Sequence, residues 1–236
     1  MYPQSPDEVE DLLRGRLIEA VDRRAKYILV RLSGGLVMRV HLRMTGNLYV
    51  VPDVRFRPQA TRAYFEFRGH RGMVFEDFRA LGRIHVRGAA ETEELLKGLG
   101  PEPLAPEFQV EVFQAAAKSS SQAAKLFLMD QTRVAGLGNI YVAEALFRAR
   151  VNPSKPICRV SKAKIAALYG AIVQVLEQAV ESACAAYAGP GQFGEAESFS
   201  RLVYDREGQA CRVCRRKIRR IRQGSRSTYY CPGCQR

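Results

Sequence analysis

Cys211, Cys214, Cys231 and Cys234 form two Cys-x2-Cys pairs with 16 residues between them. Thiolates suit Zn2+, and two residues between ligands let one tight turn present both sulfurs. The spacing therefore predicts one structural Zn2+ ion held by two knuckles. The alternative, a pair of disulfides, needs an oxidising compartment. The acidic start MYPQSPDEVEDLL has no basic-then-apolar secretion pattern. Cys158 and Cys184 have no such neighbours in sequence and read as ordinary thiols.

A second chemical signal is LMDQTRVAGLGNIYVAEALFRARVNP, residues 128–153. A helix is predicted to end near Asp130, and Gly136-Leu137-Gly138 to turn the chain into the next helix at Asn139. Glycines let backbone approach a phosphate, and a helix N-terminus offers free N–H groups with a favourable dipole. Asn139 can add its side-chain amide. The plainer alternative is a helical hairpin in which Asn139 is only the N-cap.

Charge points the same way. The chain has 37 Lys and Arg against 24 Asp and Glu, a net +13, and residues 211–236 hold nine of the cations and no acid. A polyanionic partner is the expected consequence, through counterion release. The tail lacks an amphipathic apolar face for a membrane surface, so nucleic acid is favoured.

These residues need a scaffold. With 236 residues, 47% hydrophobic and 26% charged, the chain reads as globular, as one large domain or two modest ones. Its apolar runs are interrupted by charge, so no membrane-crossing helix is expected. Together with the missing secretion signal, this predicts a cytoplasmic protein. From about Lys26 to His85 the sequence alternates in strand fashion, in the short runs KYILVRL, GLVMRVHLRM, GNLYVVP, RAYFEFRG, GMVFEDF and GRIHVRG, punctuated by Gly or Pro. Helical spacing follows at 91–98, 108–117, 121–130, 139–149 and 161–187, with a break at GLGPEPLAPEF. The fold class is α+β, an N-terminal antiparallel β-sandwich followed by a helical part and a zinc segment. The expected domains are 1–90, 104–200 and 201–236.

RRAKY, HLRMTG, LGPEPL, the glycine turn and the four-cysteine pattern together resemble the formamidopyrimidine-DNA glycosylase/endonuclease VIII family of base-excision repair enzymes, over nearly the whole chain from Leu13 to Arg236. The resemblance implies a β-sandwich and a helix–two-turn–helix domain that clasp damaged duplex DNA as a monomer, a zinc-bearing β-hairpin, and a flipped-out nucleotide. It implies cytoplasmic, nucleoid-associated work if the source is bacterial. It places Lys125 and Asn139 on the phosphates around the flipped nucleotide. Arg226 becomes the phosphate-clamping arginine that also serves δ-elimination. Lys26 matches the lysine near the lesion, where an amine can hold charge or relay protons; its plainer alternative is a strand-edge charge. Met44, Arg79 and Leu81 match the trio that fills the void left by the base, where apolar wedges are expected; Met44 taken alone reads as core.

The chain also departs from the pattern. Family members begin with a Pro-Glu pair whose proline amine attacks the sugar and whose glutamate moves protons. Here the start is Met1-Tyr2-Pro3-Gln4. A better register sets YPQSPDEVEDLLRGRLIEAVDRRAKY against the family segment just before the lysine strand, an aromatic-Pro turn, a short helix and a Gly-Arg. That register puts the Pro-Glu pair upstream of Met1. A misassigned start and a non-catalytic paralogue both account for it. DPRRFG appears as DFRALG, a frequent histidine is Ala60, and a basic cluster is Ser119-Ser120-Ser121. ACAAYAGPGQFG replaces the Gly-Gly-Thr-Thr-Leu loop of members that recognise 8-oxoguanine, which opens the specificity to oxidised pyrimidines or another lesion.

Three readings follow. The first is a DNA glycosylase/AP lyase acting on oxidised bases or abasic sites in double-stranded DNA, with the usual N-terminal proline nucleophile missing only from this version of the sequence. The second is a zinc-dependent protein that binds such sites without cutting. The third, a generic zinc ribbon of ribosome or transcription machinery, leaves 128–153 and HLRMTG unexplained.

Overall fold

The computed structural model describes residues 4–53, 55–189, 192–193 and 199–236. Helix α1 (Pro6–Leu13) opens the described chain. Ser5 and Glu8 close a reciprocal capping box and Pro6 sits where a missing N–H does no harm. Seven strands follow: β1 (Ile18–Arg24), β2 (Tyr27–Leu32), β3 (Leu36–His41), β4 (Gly46–Val51), β5 (Thr61–Glu66), β6 (Gly72–Asp77) and β7 (Arg83–Gly88), then α2 (Ala89–Leu96).

The strands form two antiparallel sheets, ordered β1-β2-β3-β7 and β4-β6-β5. Val30, Leu32, Met38, Val40 and Val86 of the first meet Met73 and Phe75 of the second in one apolar cluster. The sandwich predicted from alternation is therefore present. Register matters most at one end. His41, the last residue of β3, pairs with Arg83, the first of β7, while Gly46 of β4 pairs with Asp77 of β6. The two connections between the sheets, residues 42–45 and 78–82, thus leave the sandwich side by side. Tyr27 also pairs with His41, which brings the β1–β2 turn at Ala25-Lys26 to the same end.

Strand β1 was not among the predicted strands. IEAVDRR exposes both faces along most of its length, so no apolar alternation betrays it, and backbone pairing with β2 holds it in place.

The second unit contains α3 (Val110–Lys118), α4 (Ala124–Met129), α5 (Asn139–Arg148) and α6 (Lys162–Ala186), with a short 3-10 turn at Ile157–Arg159. Phe113, Phe127, Leu128, Leu146, Leu168, Ile172 and Val175 belong to its core. The expectation of no membrane-length helix is corrected here: α6 has 25 residues and is long and apolar enough by length and composition. Its buried Ile165, Leu168, Ile172 and Val175 pack in the helical core. Two short strands, β8 (Tyr187–Gly189) and β9 (Gln192–Phe193), pair after α6, and the hairpin β10 (Arg219–Gln223) and β11 (Arg226–Tyr230) lies near the C-terminus. Contacts divide the chain into two compact units, Met1–Gly98 with Ala188–Phe193, and Leu99–Tyr187 with Gly194–Arg236.

Candidate nucleic-acid interface and metal centre

In the second unit, three sequence-predicted residues come together. Lys125 lies in the first turn of α4, fixed by backbone bonds from Ala124 N to Lys155 O (2.8 Å) and from Lys125 N to Pro153 O (3.1 Å). Its side chain is only 1% exposed. The ammonium donates to the Ser227 carbonyl at 2.8 Å and to Thr228 Oγ1 at 2.7 Å, both on β11. Burial and the nearby Arg226 guanidinium draw the Lys125 pKa down to about 8.

Asn139 reaches the same place from α5. Gly136, at φ +83°, makes the left-handed turn that a side chain would resist. Gln131 braces that turn, accepting from Gly136 N at 3.0 Å and donating to Leu137 O at 3.2 Å. Gly138 is the N-cap of α5, so the N-cap alternative for Asn139 is replaced. The Asn139 amide instead donates to Ser227 O at 3.1 Å. Two cations and an amide donor beside a helix N-terminus suit an anion.

The four thiols converge behind this cluster. Their sulfurs lie within 4.8 Å of one another, with Cys211 and Cys231 fully buried. A four-sulfur donor set of this compactness fits tetrahedral Zn2+. Ala143 and Phe147 of α5 pack against Val203, Ile218, Tyr229, Cys211 and Cys231, so the hairpin is seated on the helix that carries Asn139. Glu144, fully buried, adds a polar rivet: its carboxylate accepts from Leu202 N (2.8 Å), Val203 N (2.9 Å) and Tyr204 N (2.9 Å). An acid inside the apolar run VAEALF was the available signal for it.

In the first unit, Met44, Arg79, Leu81 and Lys26 all lie at the end where the two connections leave. Met44 is 70% exposed and Leu81 42%, so the core alternative for Met44 is replaced. Arg79 Nη1 contacts Met44 Sδ at 3.1 Å, which brings two of the void-filling candidates together. Phe78, 65% exposed in the same turn, adds an aromatic that the sequence reading did not single out. Lys26 is exposed in the β1–β2 turn. Beside it, burial, Arg43 and Lys26 itself hold His41 below its usual pKa, hence neutral near pH 7. Met1, Tyr2 and Pro3 lie outside the described residues, as do 190, 191 and 194 of the stretch that replaces the Gly-Gly-Thr-Thr-Leu loop. Gln4 is described, and its side-chain oxygen accepts from Val86 N at 2.9 Å.

A sandwich with an exposed apolar and cationic end, and a helical unit whose phosphate-suited cluster is backed by a four-cysteine hairpin, define a zinc-finger nucleic-acid-binding protein. Comparison with known proteins narrows the class. Three family models match in order: the formamidopyrimidine-DNA glycosylase N-terminal domain over residues 1–84, the formamidopyrimidine-DNA glycosylase H2TH domain over 99–187, and the zinc finger found in FPG and IleRS over 208–236. The formamidopyrimidine-DNA glycosylase of Streptococcus pneumoniae R6 is 37% identical over 236 residues, covering 98% of this chain and 85% of the relative. That of Chloroflexus aurantiacus is 36% identical over 240 residues, covering 100% and 86%. Lactococcus lactis Fpg, solved in complex with DNA containing an abasic site, superposes with a TM-score of 0.85 at 28% identity, covering 97% of this chain and 86% of that one. The chain belongs to the formamidopyrimidine-DNA glycosylase family. The zinc-finger match and the converging thiols together support one structural zinc ion.

Proposed function

We propose that this protein is a base-excision repair enzyme, a DNA glycosylase and AP lyase that removes oxidised bases from double-stranded DNA and cleaves at the abasic site. The observation that carries this reading is the meeting of Lys125 and Asn139 on the Ser227 carbonyl beside Arg226. Lys125 and Asn139 hold the phosphates flanking the flipped nucleotide. Arg226 clamps the phosphate that departs in δ-elimination. Met44, Arg79 and Leu81 enter the stack as the base leaves, and Lys26 holds charge or relays protons near the lesion. Cys211, Cys214, Cys231 and Cys234 hold the zinc ion, which supplies folding free energy to the hairpin.

The functional domains are 1–90, 104–200 and 201–236, working as a monomer. The relatives are bacterial, which supports cytoplasmic, nucleoid-associated work on the chromosome. The Lactococcus lactis protein has been solved with DNA containing Fapy-dG and with DNA containing an oxidised pyrimidine, which supports a lesion range that is not confined to guanine.

A second reading, lesion binding without cutting, is favoured by Gln4. Gln4 is an amide that cannot serve as an acid, and its side chain is engaged by the Val86 N–H. Incision of an end-labelled abasic duplex separates the two. The enzyme reading expects β,δ-elimination ends from the parent chain and arrest at the β-elimination product in Arg226→Ala. An uncut duplex under tight binding supports the second reading.

A further inference from the structure

Asp77 ends β6 directly below the turn that carries Phe78, Arg79 and Leu81, and its side chain is fully buried. Oδ2 accepts from Leu81 N and Gly82 N, each at 2.7 Å, and Oδ1 accepts from Arg79 N at 3.2 Å. Oδ1 also accepts from the Thr45 hydroxyl, which belongs to the neighbouring connection and follows Met44. Thr45 Oγ1 in turn accepts from Arg79 N at 3.2 Å.

The backbone is shaped for this. Ala80 takes φ +51° to curl the turn over the carboxylate. Gly82 has no room for a side chain, since a Cβ there would lie 2.3 Å from Phe75 Cζ and 3.2 Å from Asp77 Oδ2. Burial pushes the Asp77 carboxyl up, but the Thr45 hydroxyl and the N–H groups of Gly82, Leu81 and Arg79 outweigh it and hold it below the usual carboxylate range. An ionised, buried acceptor satisfied on both oxygens is rigid.

We propose that Asp77, through Thr45, is the positioning residue that locks the two wedge-bearing connections into one unit, so that Met44, Arg79 and Leu81 are presented together. Apart from the carboxylate, the described bonds between the two connections are Arg79 N to Thr45 Oγ1, at 3.2 Å, and Arg79 Nη1 to Met44 Sδ, at 3.1 Å. An intercalating wedge must be preorganised, because the energy to unstack a base step is recovered only if the wedge fills the gap as it opens. The inference rests on the void-filling role proposed above for Met44, Arg79 and Leu81.

The test uses the full chain and a duplex in which 2-aminopurine stands opposite a tetrahydrofuran abasic analogue, so that fluorescence reports filling of the void. Thr45→Val removes the link between the connections, Thr45→Ser retains it, and Asp77→Asn disrupts the acceptor. Met44→Ala removes the wedge and leaves the link intact. Thr45→Val and Asp77→Asn are expected to lose most of the fluorescence response and to weaken abasic-duplex binding about tenfold. Thr45→Ser is expected to restore both, and affinity for undamaged duplex should stay unchanged in the Thr45 and Asp77 variants. A merely structural role would leave the fluorescence of the bound state at the parent level. If Thr45→Val keeps the full response while Met44→Ala loses it, the positioning role is overturned and the wedge reading stands. If Met44→Ala keeps it as well, the wedge reading fails and this inference falls with it. Should Asp77→Asn not fold, the Thr45 pair decides alone.

Discussion

Lys125 and Asn139 stand on different helices and donate to one acceptor, the Ser227 carbonyl, at 2.8 and 3.1 Å. The acceptor is the residue after Arg226, on the hairpin seated against α5. In the proposed phosphate site the helices and the zinc hairpin are therefore not separate contributors. A disturbance of any one is expected to reach the other two.

Asn139→Ala and Lys125→Met should each weaken binding to abasic duplex by about ten- to a hundredfold, as loss of a phosphate contact in a partly buried site implies. The two differ in salt dependence. Lys125→Met should lower the slope of log K against log salt by about one, whereas Asn139→Ala, which removes no charge, should leave it nearly unchanged. Anisotropy titrations over a salt series read both. An unaltered slope in Lys125→Met contradicts a phosphate contact by that ammonium.

The lowered pKa of Lys125 gives a pH signature. In the free protein the ammonium loses its proton near pH 8, below the ordinary value of 10.5. Phosphate binding requires the charged form, so binding takes up a proton above pH 8 and affinity should fall by up to about tenfold per unit there. For stability the sign is opposite. Between about 8 and 10.5 the unfolded chain holds more protons than the folded one, so stability from this group rises with pH across that window. Below pH 8 its penalty is constant. Lys125→Met should flatten both profiles; a parent affinity that is level from about pH 7 to 9.5 refutes the assignment.

Removal of zinc should unfold the hairpin and, with it, the Ser227 and Thr228 partners of Lys125. Chelation followed to full metal release is expected to abolish selective abasic-site binding, and Cys231→Ser should behave alike. Full affinity after verified metal loss separates the hairpin from DNA binding.

Glu144→Gln tests the rivet between α5 and the chain entering the zinc segment. The amide keeps one acceptor oxygen and turns an NH2 group toward backbone N–H donors. Urea denaturation should show a loss of about 3 kcal/mol, from charge-assisted bonds replaced by a buried mismatch. A change within error would show that Leu202–Tyr204 are held by packing alone.

Much of this was legible in the sequence where burial alternates or ligands repeat. The six strands from β2 to β7 follow their apolar rhythm, and the Cys-x2-Cys pairs mark the metal site at sight. Strand β1 was hidden because IEAVDRR is held by a ladder of backbone bonds at an exposed edge. Asp77 was hidden for a different reason. An aspartate before a turn reads as solvated, and only the three-dimensional return of residues 42–45 supplies Thr45 as its partner. The interruptions in α6 looked too frequent for a membrane-length helix, yet at 25 residues it passes by composition and still buries its stripe in the core. Asn139 reads in the sequence as an amide beside a glycine turn, and its acceptor in the structure lies 88 residues away. No local pattern could show it.

The most direct test of the enzymatic account is borohydride trapping on a duplex containing an abasic site, with the 236-residue chain and its Lys26→Ala variant. The account expects a covalent protein–DNA adduct from the parent, because AP lyase chemistry proceeds through a Schiff base that borohydride reduces to a stable amine. Loss of the adduct in Lys26→Ala assigns the amine to Lys26, and its persistence assigns it to the amino terminus. Tight abasic-site binding with no adduct from the parent contradicts the account and leaves a protein that clasps the lesion without cutting it.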